Sequence, residues 1–176
     1  MFWLIIISVI LIIIAAAMLI QFFNVIFRGF APFISTKPKV IGKIIENMDF
    51  FGQGKVYELG CGKAGFLRAV ELEYPRAELA GVEYSFWPWL IAKIQISLNK
   101  SKIKIKRKNL LKVNLADADL IYCYLSPRLM KDLKEKFGRE CKQGTKIISH
   151  AFILPDSEPD KIVELESGEN IYFYTI

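Results

Sequence analysis

The sequence predicts a doubly wound α/β domain with a mostly parallel sheet and a C-terminal antiparallel hairpin, preceded by one transmembrane helix. Three observations lead there. Apolar residues run without a charge up to Arg28. Strand-like and helix-like segments then alternate. The first strand breaks into closely spaced glycines at Val56-Tyr57-Glu58-Leu59-Gly60-Cys61-Gly62-Lys63-Ala64-Gly65-Phe66. Alternating strands and helices make parallel βαβ units, and a glycine-rich strand-to-helix turn leaves backbone N–H groups open to a ligand. A chain of 176 residues has room for about one domain.

Phe2 to Ile20 is apolar except for Ser8. At about 1.5 Å per residue such a run reaches about 28 Å, close to the hydrocarbon thickness of a bilayer. A cleaved signal peptide or a buried core helix are the alternatives. Against the first, no Lys or Arg precedes the run, and its length exceeds a typical h-region. Arg28, Lys37, Lys39 and Lys43 follow with no acid until Glu46, which places the later domain in the cytoplasm by the positive-inside rule. The expectation is a single-pass protein of the cell membrane, with the anchor over 1–28, a linker and amphipathic helix over 29–54, and the main domain over 55–176.

Juxtamembrane cations attracted to anionic headgroups account for part of the net charge of +6, so no nucleic-acid partner is expected. Cys61, Cys123 and Cys141 form no CxxC, and His150 is the sole histidine. No metal site is expected.

Past a Pro- and aromatic-rich linker at 30–36, Ser35 or Thr36 can cap a helix that Pro38 opens. Val40, Ile41, Ile44, Ile45 and Met48 recur there at helical spacing, to pack on the domain or to lie on a membrane surface. Strands follow at 55–59, 79–84, 102–106, 119–125 and 145–152. Helices are expected at 65–74, at 86–98 behind Ser85, and at 127–136 behind Ser126. Residues 161–176 read as two strands about Ser167-Gly168-Glu169-Asn170.

Gly60-x-Gly62-x-x-Gly65 has the spacing of a dinucleotide-binding turn, and Glu83 ends the second strand about 18 residues later, where a ribose-binding acid belongs. Both dinucleotides and S-adenosylmethionine use such turns. Glu58 separates them. The residue two before the first glycine normally packs apolar under the turn. A carboxylate there attracts the ammonium and sulfonium of S-adenosylmethionine and repels a pyrophosphate. Without a ligand role, Glu58 would cap the next helix or pair with Lys63.

Glu-x-Gly-x-Gly on a first strand, with an acid ending the second, resembles class I S-adenosylmethionine-dependent methyltransferases. The resemblance implies a Rossmann-like sheet. It also implies a cofactor held by Glu58, Gly60, Gly62 and Gly65 at the methionine end, by Glu83 at the ribose and by Asn109 at the adenine, with Cys61, Tyr84 and Leu110 among the cofactor-binding residues as well. A closer resemblance covers Pro32 to Pro155. Pro32-Phe33-Ile34-Ser35-Thr36, Glu83-Tyr84-Ser85-Phe86-Trp87-Pro88-Trp89-Leu90 and Asn109-Leu110-Leu111-Lys112 are similar to motifs of membrane-anchored protein-lysine methyltransferases of mitochondria and their prokaryotic relatives. In the family an Asp stands where Asn109 is and a Trp where Leu111 is, and Pro88-Trp89-Leu90 falls about two residues late.

What this implies is methylation of a lysine on a membrane-associated protein. A lipid or quinone methyltransferase and a non-catalytic nucleotide-binding adaptor are the rivals. Tyr124, Ser126 and Pro127, ending the fourth strand, are the expected substrate side, although Ser126 and Pro127 equally suit the start of a helix. In-line methyl transfer does not require a base; His150 is the one histidine available for that role. Trp87 and Trp89 suit helix packing, with one of them bordering the adenine as the alternative. Lys102-Ile103-Lys104-Ile105-Lys106 suits a protected sheet edge, or else a contact with anionic membrane or RNA.

Overall fold

A computed structural model of the chain describes residues 2–28 and 35–176. The chain divides at Ser35 into an N-terminal helical part and a compact domain. The Pro32-Phe33-Ile34 part of the motif and the start of the linker fall on 29–34, outside the described residues.

Helix α1 is Phe2–Arg28. Its Phe2–Ile20 stretch has a mean hydropathy of 3.2 with none of it buried. It is long and apolar enough to cross a bilayer. The Ser8 hydroxyl donates to the Leu4 carbonyl at 2.8 Å, so this polar side chain is satisfied within the helix.

The domain is built on seven strands: β1 Lys55–Leu59, β2 Glu78–Glu83, β3 Lys104–Arg107, β4 Leu120–Cys123, β5 Lys146–His150, β6 Lys161–Glu164 and β7 Asn170–Thr175. They lie in the order β3-β2-β1-β4-β5-β7-β6. The first five are parallel, and β7 runs antiparallel to both β5 and β6. The order reverses between β1 and β4, and ligands of doubly wound sheets bind outside the carboxyl ends of strands at that switch point.

Side chains alternate between the two faces of the sheet. Val56, Leu120, Tyr122, Ile148 and Phe173 join one core, under α2 (Pro38–Asn47), α3 (Gly65–Glu73) and α4 (Phe86–Leu98). Tyr57, Leu59, Ile121, Cys123, Ile147 and Tyr174 join the other, under Met130, Leu133 and Phe137 of α5 (Pro127–Glu140). Period-2 alternation with both faces covered is why β4 reads as an unbroken apolar run.

Helix α2 packs on the domain. Val40, Ile41 and Ile44 are buried in the first core, and Met48 joins them just past its end. Its N-terminus departs from expectation. Lys37 is the capping residue and no side chain caps the helix. Thr36 instead shares a 2.7 Å hydrogen bond with the Tyr122 hydroxyl of β4, which fastens the entry segment to the centre of the sheet.

Other differences have local causes. Strands β4 and β5 are shorter than the apolar patterns suggest, chiefly because their loops turn away at the carboxyl edge, whereas β3 starts two residues later than expected and runs one further, to Arg107. Helix α5 runs four residues past Lys136. The ammonium of buried Lys136 pairs with Glu140 one turn on at 2.6 Å and carries the helix through. Trp87 is 69% exposed, contrary to a packing role, whereas Trp89 packs against the first core. As expected, β3 is an edge strand, with Lys104 and Lys106 exposed.

Ile44→Ala should cost about 2–5 kcal/mol in urea denaturation, the usual range for a buried Ile truncation. A cost under about 1 kcal/mol would mean that α2 is dispensable to the domain.

Candidate active site

The parallel strands bring their last residues, Leu59, Glu83, Cys123 and His150, to one edge of the sheet. Glu58, one residue before the end of β1, lies in register with Gly81 on one side and Tyr122 on the other. Alternation turns it toward the face that carries α2 and α3, and only 6% of it is exposed. The backbone N–H of Leu67 in α3 donates to its Oε2 over a long 3.4 Å. That is a weak hydrogen bond for a buried carboxylate. Burial pushes its carboxyl up to about 8; the Leu67 N–H is the next-largest effect and opposes it, the neighbouring charge of Glu83 adds a smaller push, and Arg68 opposes least. A carboxyl held mostly neutral at pH 7 returns to its charged form once a cation arrives.

The loop after β1 is shaped by backbone. The N–H groups of Gly60 and Cys61 both donate to the Val82 carbonyl, at 2.8 and 3.0 Å. Gly60 has φ +72°, and a Cβ there would sit 2.7 Å from Leu125 Cδ2. The positive φ calls for glycine, while the Leu125 methyl could move aside. Gly62 and Ala64 also have positive φ, with Ala64 in the left-handed region just ahead of α3. Gly65 is different. It opens α3, and an added Cβ would make only ordinary contact with Ile41.

Glu83 is buried and accepts two backbone hydrogen bonds. Gly62 N donates to Oε2 at 3.0 Å and Ser85 N to Oε1 at 2.7 Å. One carboxylate thus ties the glycine loop to the start of α4. Ser85 stands at the capping position of α4, but its side chain makes no capping bond. Lys108 N donates to the Glu83 carbonyl, which brings the Asn109 segment to the same edge. Asn109 Oδ1 accepts from Leu111 N at 2.9 Å and caps a 3-10 turn over Leu110–Lys112.

Three expected cofactor residues are therefore placed differently from a simple reading. The Cys61 thiol is buried in the first core, packed where Gly81 leaves room for it, and burial raises it far above the ordinary thiol range. Only its backbone belongs to the loop. The Leu110 side chain joins the second core. Tyr84 is half-exposed and its carbonyl accepts from Arg107 Nε at 3.3 Å.

Beyond β4 and β5 a second group gathers. The Tyr124 ring stacks on His150 with centroids 4.1 Å apart. Tyr124 Oη donates to Glu169 Oε1 at 3.4 Å, and the other Glu169 oxygen lies 3.6 Å from His150 Nε2. Both His150 ring nitrogens are buried without a hydrogen-bond partner. Burial pulls the imidazole below its ordinary range, with Glu169 opposing. Ser126 Oγ is likewise buried and unpartnered, and it does not cap α5, which Pro127 opens. Glu169 had no signal of its own in the sequence, since it sits in a turn whose composition already explains it. The entry of Thr36 over Tyr122, next to Glu58 in register, was equally hidden.

The edge fits a cationic nucleoside better than a dinucleotide. Two buried carboxylates flank the glycine loop, where a pyrophosphate would be repelled and an ammonium attracted. Among the described residues no group of acids, cysteines and histidine could hold a metal ion.

Comparison with known proteins agrees. The chain is 25% identical over 150 residues to a protein-lysine N-methyltransferase of Saccharolobus islandicus, covering 82% of this chain and 93% of that protein. It is also 25% identical over 127 residues to the adenine nucleotide translocase lysine N-methyltransferase of Mus musculus, covering 70% of this chain and 54% of that protein, about half its length. Among solved structures, an RNA methyltransferase from Salinibacter ruber with bound S-adenosyl-L-homocysteine superposes with a TM-score of 0.76. It covers 81% of this chain and 94% of its own, and at 21% identity the likeness speaks for the fold. The ANTKMT methyltransferase domain profile matches residues 58–161, more than half of the sequence, and the chain belongs to that family of class I S-adenosylmethionine-dependent methyltransferases.

Proposed function

We propose that this protein methylates a lysine ε-amine on a membrane-associated protein, from a domain that α1 anchors to the cell membrane on its cytoplasmic side. The observation that carries the reading is Glu58, a buried carboxylate with one weak hydrogen bond and a second carboxylate nearby. Its chemistry calls for a cation, and the α-ammonium of S-adenosylmethionine supplies one. The two relatives named as lysine methyltransferases support the acceptor class. The unburied apolar stretch of α1 supports the anchor, and confinement to a bilayer raises the effective concentration of any acceptor held there.

In this reading Glu58 and the Gly60–Gly65 backbone hold the amino-acid end of the cofactor. Glu83 accepts from the ribose hydroxyls, and Asn109 and the backbones of Tyr84 and Leu110 border the adenine. When bound, the cofactor supplies an electrophilic methyl on sulfur; the chain supplies position and a route for one proton. The incoming lysine is an ammonium at neutral pH and must lose that proton before it can attack. Glu169 draws the ammonium in, and Tyr124 and His150 wall its path. The unpartnered His150 imidazole, kept neutral by burial, accepts the proton. Ser126 Oγ orients the amine.

Melting should discriminate the cofactor class. S-adenosyl-L-homocysteine is expected to raise the melting temperature and NAD is not. A shift with NAD alone would sink the reading. Transfer of labelled methyl into membrane fractions, followed by acid hydrolysis, should yield methyl-lysine. Label recovered only in the lipid extract would reassign the acceptor.

Glu58→Gln separates binding from stability. The folded-state pKa of Glu58 lies above its ordinary value, so its stabilising proton is fully present below about pH 4.5. That contribution is lost as pH rises through about 8. At pH 8.5 the variant should melt a few degrees above the parent, since 1 kcal/mol moves a domain of this size by roughly 2–4 °C. It should also lose the shift caused by S-adenosyl-L-homocysteine. A variant that melts lower and still binds would contradict the role given to Glu58.

A further inference from the structure

Helix α4 is apolar on two opposite sides, with Lys93, Gln95 and Ser97 its only polar residues. Ala92 and Ile96 are buried on the inner side, with Trp89 packed beside them. The outer side carries Trp87, Ile91, Ile94 and Leu98, spaced four, three and four residues apart, so they form one stripe along the helix. Trp87 is 69% exposed, Ile94 50% and Leu98 78%. A helix apolar on opposite sides is ordinarily buried on both. Within the domain over 35–176 no residue covers the stripe, and Phe86 extends it at the N-terminal end, edge-on to Trp87.

The segment that carries the stripe has charge of one sign along the sequence; in space the Glu71 carboxylate of α3 reaches it, accepting from Lys102 N at 2.7 Å. From Tyr84 to Ala116 the sequence holds Lys93, Lys100, Lys102, Lys104, Lys106, Arg107, Lys108 and Lys112 and no acid at all. These eight positive charges exceed the +6 of the entire chain, so the remaining residues are net negative. Lys93 lies on α4 itself, and the cations from 104 to 107 lie on β3, the edge strand against which α4 packs. Arg107 joins the two elements, its guanidinium 5.3 Å from the centroid of the Phe86 ring.

We propose that the outer face of α4 and the adjoining β3 edge form a docking surface for an anionic phospholipid bilayer. A Trp and Phe end, an aliphatic stripe and a predominantly cationic border are what an interfacial helix needs: apolar groups that enter the headgroup boundary, and lysines that meet anionic lipid. Trp87 and Phe86 could stack on a base, but Ile91, Ile94 and Leu98 along the rest of the stripe could not, which favours lipid over RNA despite the charge. A second copy of the chain would bring two cationic borders together. The surface does not depend on α1 crossing the bilayer or on the acceptor being a lysine. Helix α4 begins three residues after Glu83, so a docked α4 holds the ribose side of the cofactor edge beside the lipid.

The test uses the full chain with Trp3→Phe, reconstituted in phosphatidylcholine vesicles with and without about 30% phosphatidylserine. Quenching of Trp87 by lipids brominated on the acyl chain is read against a matched Trp87→Phe sample. Quenching should be several-fold stronger in the anionic vesicles. It should fall to the neutral-vesicle level in Ile94→Glu/Leu98→Glu and in Lys102→Glu/Lys104→Glu/Lys106→Glu. Both variants should keep their melting shift with S-adenosyl-L-homocysteine, which shows that they fold. Equal quenching in both vesicle types, or quenching unaffected by either variant, overturns the proposal. So does protection of Trp87 by a single-stranded RNA 20-mer in preference to vesicles, or self-association in detergent that Leu98→Glu abolishes.

Discussion

A carboxylate taken out of water must find a counter-charge, a set of hydrogen bonds or a proton. Glu58 has one long hydrogen bond and keeps a proton. Much of the site is arranged around that condition. Gly81, level with Glu58 on β2, leaves room for Cys61 and Leu67 to pack beneath the loop. Tyr122, level with it on β4, is tied to Thr36 and tilted against Phe66, which seals that side from water. Burial keeps Glu58 neutral in the absence of a cation, and Glu83, which holds the loop by Gly62, adds a smaller push in the same direction. The pocket is electrostatically incomplete, and in the function proposed above the cofactor's ammonium completes it.

The same edge of the sheet carries two chemically distinct ends. Around β1 and β2 stand acids and a glycine backbone, suited to a cationic nucleoside. Beyond β4 and β5 stand stacked aromatics, the Glu169 carboxylate and unpartnered polar atoms on His150 and Ser126. An in-line transfer needs a donor and an acceptor presented from two sides, and the reversal of strand order between β1 and β4 separates them by one strand spacing or two.

Features legible in the sequence were those set by neighbours along the chain. Strand β1, the glycine turn, helices α3 and α4 and the terminal hairpin all follow from local periodicity and backbone requirement, and each lies within a residue or two of its expected bounds. Glu58 was legible because an acid is out of place under such a turn. What local reasoning missed was decided by distant partners. Ser85, Ser126 and Thr36 all look like helix caps, yet none caps. Thr36 is claimed by Tyr122, 86 residues away, and the N–H of Ser85 by Glu83. Asn109 spends its carbonyl on a 3-10 turn that carries no strong pattern of its own. Tyr124, His150 and Glu169 come from three elements and meet only once β7 pairs with β5. Trp87 reads as core by composition, because an outward apolar stripe and an inward one look alike in sequence.

If Glu58 is the group that receives the cofactor's ammonium, binding must strip its proton. Calorimetric titration of the protein with S-adenosyl-L-homocysteine at pH 7, in buffers of different ionisation enthalpy, measures that directly. On this assignment about one proton should be released per ligand bound, since a group titrating near 8 is mostly protonated at pH 7, and release should vanish in Glu58→Gln. Binding with no proton release, or with the same release in Glu58→Gln as in the parent, would contradict it.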